Sequence, residues 1–147
     1  MRKLVIILVF AFLVKSCLFG DNPSSSTKIT EDFWLEWFEN STHQRILFSK
    51  YGMIGNVIVN KIVFAVGYND DFIIAKQDVK NENDSLQNTI NYIIIDLRNY
   101  VKDDINSFDV HTLNERGFPI MREYLKVPAD LDFKIIDANY NKVNSSF

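Results

Sequence analysis

Apolar residues along the chain fall into short runs of strand length, separated by breaks rich in Asn, Asp and Gly. The longest run extends from Asn56 to Val66. There Val57, Ile58, Val59, Ile62, Val63, Phe64 and Val66 are β-branched or aromatic, and only Asn60 and Lys61 interrupt them. A segment apolar on both faces predicts a central strand. Gly67-Tyr68-Asn69-Asp70-Asp71 then supplies turn chemistry and Phe72-Ile73-Ile74-Ala75 returns, which predicts a hairpin. Gln77 to Asn88 is polar and charged and reads as a long loop, and Asn91 to Asp96 reads as the next strand.

Nearer the N-terminus, residues 33–39 suit either a strand or one face of a short helix carrying Phe33, Trp34, Trp37 and Phe38. The Asn40-Ser41-Thr42 break and the extended run from Arg45 to Ser49 favour the strand. Towards the C-terminus, Thr112-Leu113-Asn114-Glu115 has the spacing of a capping box. In that motif the hydroxyl accepts from the Glu115 backbone N–H while the carboxylate reaches back. The expected helix runs to about Lys126, with Leu113, Ile120, Met121, Tyr124 and Leu125 near one face. Pro119 cannot donate to the Glu115 carbonyl, which predicts a kink or a restart. Val127-Pro128 ends the helix, and Leu131 to Ile136 reads as a last short strand. The pattern predicts an α+β domain, mainly an antiparallel β-sheet with one C-terminal helix packed on it.

The first residues follow a different logic. Met1-Arg2-Lys3 is basic and Leu4 to Val14 is an unbroken apolar run, short of the roughly 20 residues that span a bilayer. Both features fit a secretory signal peptide. Val14-Lys15-Ser16-Cys17 resembles a bacterial lipobox, a signal in which the Cys receives diacylglycerol and becomes the first mature residue. Lys15 stands where such signals carry a small or uncharged residue. Ordinary cleavage, or an uncleaved anchor with a buried Cys17 thiol, are the alternatives. The expected organisation is a lipoprotein signal peptide over 1–16, a flexible tether over 17–28, one domain over 29–140 and a frayed tail over 141–147.

At 147 residues, 47% of them hydrophobic, the chain suits one domain with a modest core. A single Cys and two His exclude a disulfide framework and a Cys/His-rich metal site. The formal charge is −3, and loss of Arg2, Lys3 and Lys15 with the signal would leave −6. That balance argues against nucleic acid as a partner and against a polybasic grip on lipid. Membrane attachment is expected through acyl chains at Cys17, placing the domain in the cell envelope, facing the periplasm or the outside.

Three stretches together resemble a family of small bacterial lipoproteins, domain of unknown function 3997. Residues 60–77, from Asn60-Lys61-Ile62 to Ala75-Lys76-Gln77, are similar to its long strand, Asn/Asp turn and return strand. Tyr92 to Asp96 resembles its next strand. Thr112-Leu113-Asn114-Glu115, with Phe118 and Leu125, is similar to its terminal helix, although His111-Thr112-Leu113 replaces the usual Gly-Pro-Leu turn. The likeness covers roughly residues 57–127 and implies an envelope lipoprotein; it brings no activity and no catalytic residues.

Candidate chemistry is sparse. Trp34 and Trp37, with Tyr51 nearby, form the best candidate binding surface, for a glycan or a protein, unless they fill the core. Asp70 and Asp71 could do acid/base work or bind Ca²⁺, yet they are also what a tight turn requires. Asp109 and His111 alternate across Val110, so an extended chain places them on one face; His43 is the only other His. No catalytic residue, metal ligand or cofactor is assigned from these patterns. The leading expectation is a non-enzymatic envelope binding or interaction protein. The alternatives are a small hydrolase or glycan-active domain, and an acidic immunity-type inhibitor of a basic toxin.

Overall fold

β1 (Pro23–Thr30) turns through Glu31-Asp32 into β2 (Phe33–Phe38), with Thr27 opposite Leu35 and Lys28 opposite Trp34. β3 (Arg45–Phe48) and β4 (Asn56–Val59) complete an antiparallel sheet in the order β1-β2-β3-β4. The computed structural model describes residues 23–38, 44–52, 54–60, 62–80 and 88–136. Residues 33–38 are thus strand, as the turn chemistry around them implied. The Ser/Thr stretch expected to be tether is instead β1 from Pro23 onward. It is an edge strand: Ser26, Thr27 and Lys28 stay exposed and Ile29 is buried, so a polar composition suffices.

The expected long strand from Asn56 to Val66 is two strands in two different sheets. Ile62 takes a positive φ of 55°, which breaks the extended backbone and sends the chain across. β5 (Val63–Tyr68), β6 (Phe72–Lys80), β7 (Asn88–Asp96), β8 (Asp109–Leu113) and β9 (Lys134–Ile135) form the second sheet. Its order is β8-β7-β6-β5-β9, and every pairing is antiparallel. The predicted hairpin is present, with Tyr68 opposite Ile73. β6 and β7 continue past the predicted loop boundaries, pairing as far as Lys80 with Asn88. Backbone pairing extends these strands beyond the apolar core, where hydropathy carries no signal.

Turn chemistry in the hairpin resides in one residue. Asn69 Oδ1 accepts from the N–H groups of Asp71 (3.0 Å) and Phe72 (2.8 Å), whereas Asp70 is exposed. Asn69→Ala is therefore expected to cost about 1 kcal/mol in urea melts, and Asp70→Asn no more than about 0.5 kcal/mol.

The second sheet is covered on both faces. On one face Val63, Ile73, Ala75, Ile93 and Ile95 meet Phe33, Leu35, Ile46, Phe48 and Val59 of the first sheet. On the other, Phe72, Ile74 and Ile94 meet Phe118, Leu125, Val127 and Leu131. A strand buried on both sides reads as a continuous apolar run, which explains Ile93-Ile94-Ile95.

The second covering layer is built on α1 (Gly117–Leu125) and the segment after it. The capping box does not form, because Thr112 and Leu113 belong to β8 and no side chain of the N-cap residue Arg116 caps the helix. Asn114 Oδ1 instead accepts from Gly117 N–H at 2.8 Å. Starting this late, the helix holds Pro119 in its first turn, where a missing N–H costs nothing, so neither kink nor restart is needed. Phe118 and Leu125 are its buried residues, while Ile120 and Tyr124 from the expected face are exposed. Lys126, at φ 58°, closes the helix. The fold is mainly antiparallel sheet with one short helix among the described residues, and β9 follows that helix.

Two ends can now be distinguished. Tyr100 and Asp103 bond to Asp32, Leu97 N–H donates to the Asp71 carbonyl, and Phe48 pairs with Phe33. The 31–32, 49–55, 69–71 and 97–108 connections therefore gather at one loop end. Pro23 pairs with Phe38 at the opposite end, where Val63 N–H donates to the Gln44 carbonyl.

Candidate functional site

Strand alternation sends Trp34 and Trp37 to opposite faces of β2. Trp37 packs against the core between the sheets. With Thr27, Leu35, Gln44 and Ile136 it lines an open groove of about 450 Å³ toward the Pro23 end. Trp34 faces away from the core. Its indole N–H donates to the Ser49 carbonyl at 2.8 Å, and the Lys28 ammonium lies 5.9 Å from the ring centroid. Gly52 seats against the ring at φ 76°, and a Cβ there would come within 2.8 Å of it. The Ser49 hydroxyl shapes this loop by accepting from Gly52 N–H (3.1 Å) and donating to the Ile54 carbonyl (2.7 Å).

Tyr51, on the same loop, is 79% exposed. The structure thus brings Tyr51 to the Trp34 side and separates both from Trp37. Because Gly52 combines a left-handed backbone with contact to the indole, Gly52→Ala is expected to cost about 1–3 kcal/mol. A red-shifted Trp emission should accompany the loss and would report release of Trp34.

The polar candidates converge more closely. Across the second sheet, Phe72 pairs with Asp96 and Asp96 with Asp109, while Ile74 pairs with Ile94 and Ile94 with His111. Asp96, Asp109 and His111 therefore share the helix-side face at the loop end, with the Asp70-Asp71 turn beside them. Asp96 is buried and committed: Arg98 Nε donates to it at 2.9 Å and Arg98 N–H at 3.1 Å. The hydrogen-bonded Arg98 guanidinium holds this carboxyl below the usual range despite burial, and the nearby His111 adds to the effect. Asp70, Asp71 and Asp109 are exposed and His111 is half-buried.

Other buried carboxylates, Asp32, Glu36 and Asp78, escaped the sequence reading. Asp32, 4% exposed in the β1–β2 turn, accepts from the Tyr100 hydroxyl and from Asp103 N–H at 3.0 Å. Burial pushes its pKa up. Those two hydrogen bonds, with the charges of Lys102 and Lys28, more than offset this and leave it lowered. Tyr100 is pushed well above its ordinary value by burial and by its bond to Asp32. Lys50 Nζ in turn donates to Asp103 at 3.2 Å. Nothing in the sequence marks partners 68 residues apart.

Among the described residues no group of three His, Cys, Asp or Glu could hold a metal ion, and no helix is long and apolar enough to cross a membrane. Cys17 and His43 lie outside the described residues. Asp32 and Asp96 act as braces: Asp32 ties the 97–103 segment to the first sheet, and Asp96 holds Arg98 over the Phe72 ring at 5.0 Å.

These features define a class, a double antiparallel-sheet domain with one short helix and a loop end braced by carboxylates and aromatic rings. Within that class the chain belongs to the family described as protein of unknown function (DUF3997), which matches residues 31–141. The match is wider than the 57–127 stretch of resemblance and reaches from the β1–β2 turn to beyond β9. No curated protein and no solved structure matches the chain.

Proposed function

We propose that this chain is a lipid-anchored envelope protein whose domain binds a protein partner and catalyses no reaction. The observation that carries the reading is a concentration of exposed apolar side chains on the β3–β4 connection and the start of β4. Tyr51 is 79% exposed, Ile54 91% and Val57 42%, all within seven residues at the loop end of the first sheet. Such a surface supports protein recognition. Trp34 favours a protein over a glycan, because Gly52 and Lys28 lie against its ring and leave little stacking surface. The buried carboxylates Asp32 and Asp96 are committed to bracing bonds, which supports binding over acid/base chemistry.

The anchor fits the same arrangement. Only five residues lie between Cys17 and Pro23, a reach of at most about 20 Å over the six residue steps. The Pro23 end is thereby kept near the bilayer, and the loop end points away from it. Intact mass of the membrane-extracted protein is expected to show cleavage before Cys17 plus acyl mass. A photo-crosslinking residue at position 54 is expected to give a discrete protein adduct in intact envelopes, and the same residue at position 123 none. An unmodified Cys17 thiol on a soluble mature chain would refute the anchor. Identical labelling from both positions would refute the binding surface.

A further inference from the structure

The loop end presents more than apolar side chains. Its connections are bonded into one surface: Lys50 to Asp103 at 3.2 Å, Asp103 N–H to Asp32 at 3.0 Å, and Leu97 N–H to the Asp71 carbonyl at 2.8 Å. Tyr51 and Ile54 therefore stand on the same end as Val101 and Tyr68, which are exposed as well.

Charge on this end is one-sided. Glu31, Asp70, Asp71, Asp104 and Asp109 are exposed, and none of them forms a salt bridge among the described residues. The cations there are already engaged. Lys50 pairs with Asp103, Arg98 pairs with Asp96, and Lys28 and Lys102 lie in the field of the buried Asp32 carboxylate. No three of the acidic groups converge as metal ligands would, so they are spread over the end and not gathered at one point.

Exposed apolar anchors set among uncompensated carboxylates select a partner by charge: they favour a protein surface carrying Lys and Arg and disfavour an acidic one. A second copy of this chain would bring the same carboxylates to the contact, and an anionic bilayer would be repelled. We infer that the loop end receives a basic protein surface, whose apolar side chains pack on Tyr51 and Ile54 while its Lys and Arg side chains face Asp70, Asp71 and Asp104. The inference rests on the partner-binding reading above and specifies the chemical class of that partner. The carboxylates speed and orient the encounter, and apolar burial holds the complex. Because the charges are exposed, the contact weakens with salt.

Binding of a dye-labelled peptide, Lys-Tyr-Lys-Ser-Lys-Tyr-Lys, to the full chain in nonionic detergent tests this, with Glu-Tyr-Glu-Ser-Glu-Tyr-Glu as its comparison. The basic peptide is expected to bind on the order of 10-fold more tightly at low ionic strength, and the gap to narrow as salt rises from about 0.05 M to about 0.5 M. Two charge-matched double variants locate the contact. Asp70→Asn with Asp104→Asn is expected to weaken the basic peptide about 5-fold, while Glu115→Gln with Glu123→Gln changes its binding less than about 2-fold. Both Asn replacements keep an acceptor oxygen at an exposed position, so the melting transition stays in place. Ile54→Ser is expected to weaken the basic peptide about 3-fold without changing its salt dependence.

Equal binding of the two peptides overturns the inference. So does an equal loss in both double variants, which would mean general acidity and no local surface. Concentration-dependent self-association that Ile54→Ser removes also overturns it, since a second copy would then occupy the end. A discrete crosslink from position 54 without preference for the basic peptide leaves partner binding standing and removes the basic class. Preference for the basic peptide without a crosslink counts against the envelope partner and leaves the charge selectivity of the surface in place.

Discussion

Replacing Phe33 with alanine is expected to destabilise the domain by about 3–5 kcal/mol, the cost of deleting a fully buried aromatic ring. Phe33 is 0% exposed and opens β2 directly after the Asp32 turn. Its ring meets Phe48 edge-on at 5.3 Å, Tyr100 at 5.9 Å and Phe108 at 4.9 Å between centroids. Phe48 and Tyr100 are themselves 6.2 Å apart and nearly perpendicular. Three rings from distant parts of the chain thus close on Phe33, and each edge-to-face pair adds about 0.5–1.5 kcal/mol beyond area burial. Truncation removes those contacts at once and leaves a cavity that rigid neighbouring rings fill poorly. Phe33→Leu, which keeps much of the volume, should cost only about half as much. Equilibrium urea melts followed by circular dichroism measure both. A loss below about 1 kcal/mol for Phe33→Ala would mean that the loop end collapses to refill the space.

Local sequence signals located most strands and failed where tertiary structure decides. Phe72 to Ala75 and Asn91 to Asp96 were legible because every residue from Ile93 to Ile95 is apolar and both sheet faces are covered. β1 was hidden because an edge strand needs few apolar residues. The run from Asn56 to Val66 misled for the opposite reason: apolar residues resume directly after the short Asn60-Lys61 break, and a positive φ at Ile62 divides the sheets there. The capping-box spacing at Thr112 was outcompeted by pairing of β8 with β7, in which Ile93 faces Thr112.

The candidate site was legible only in fragments. Trp34, Trp37 and Tyr51 were read as one candidate surface, but strand alternation in β2 sends the two Trp to opposite faces and leaves only Tyr51 strongly exposed. Convergence of Asp96, Asp109 and His111 needs the β7–β8 register, which sequence alone does not fix. The exposure of Ile54 and Val57 is invisible to composition, because an aliphatic residue reads as core wherever it stands.

Removal of the Asp32 carboxylate should release the loop end as a unit and flatten the acid limb of the stability profile. Asp32→Ala leaves the Tyr100 hydroxyl and the Asp103 N–H without their acceptor, at an expected cost of about 2–4 kcal/mol. Asp32→Asn retains an acceptor oxygen and should cost about 1 kcal/mol at neutral pH. The pH dependence separates the charge from the shape. Asp32 and Asp96 both have folded pKa values below the ordinary carboxylate range, so the unfolded chain binds more protons in acid. Their stabilisation is complete above the unfolded carboxylate pKa, near pH 4, and is lost as pH falls through the lower folded values. Tyr100 gives the opposite limb: raised in the folded state, it makes stability fall as pH climbs past about 10. In urea melts between about pH 2.5 and 7, the wild type should lose stability on acidification more steeply than Asp32→Asn. Hydrogen exchange at Asp103 N–H should accelerate in Asp32→Ala while exchange across the β6–β7 pair stays slow. An unchanged acid slope in Asp32→Asn would remove Asp32 as the brace that couples the first sheet to the 97–108 connection.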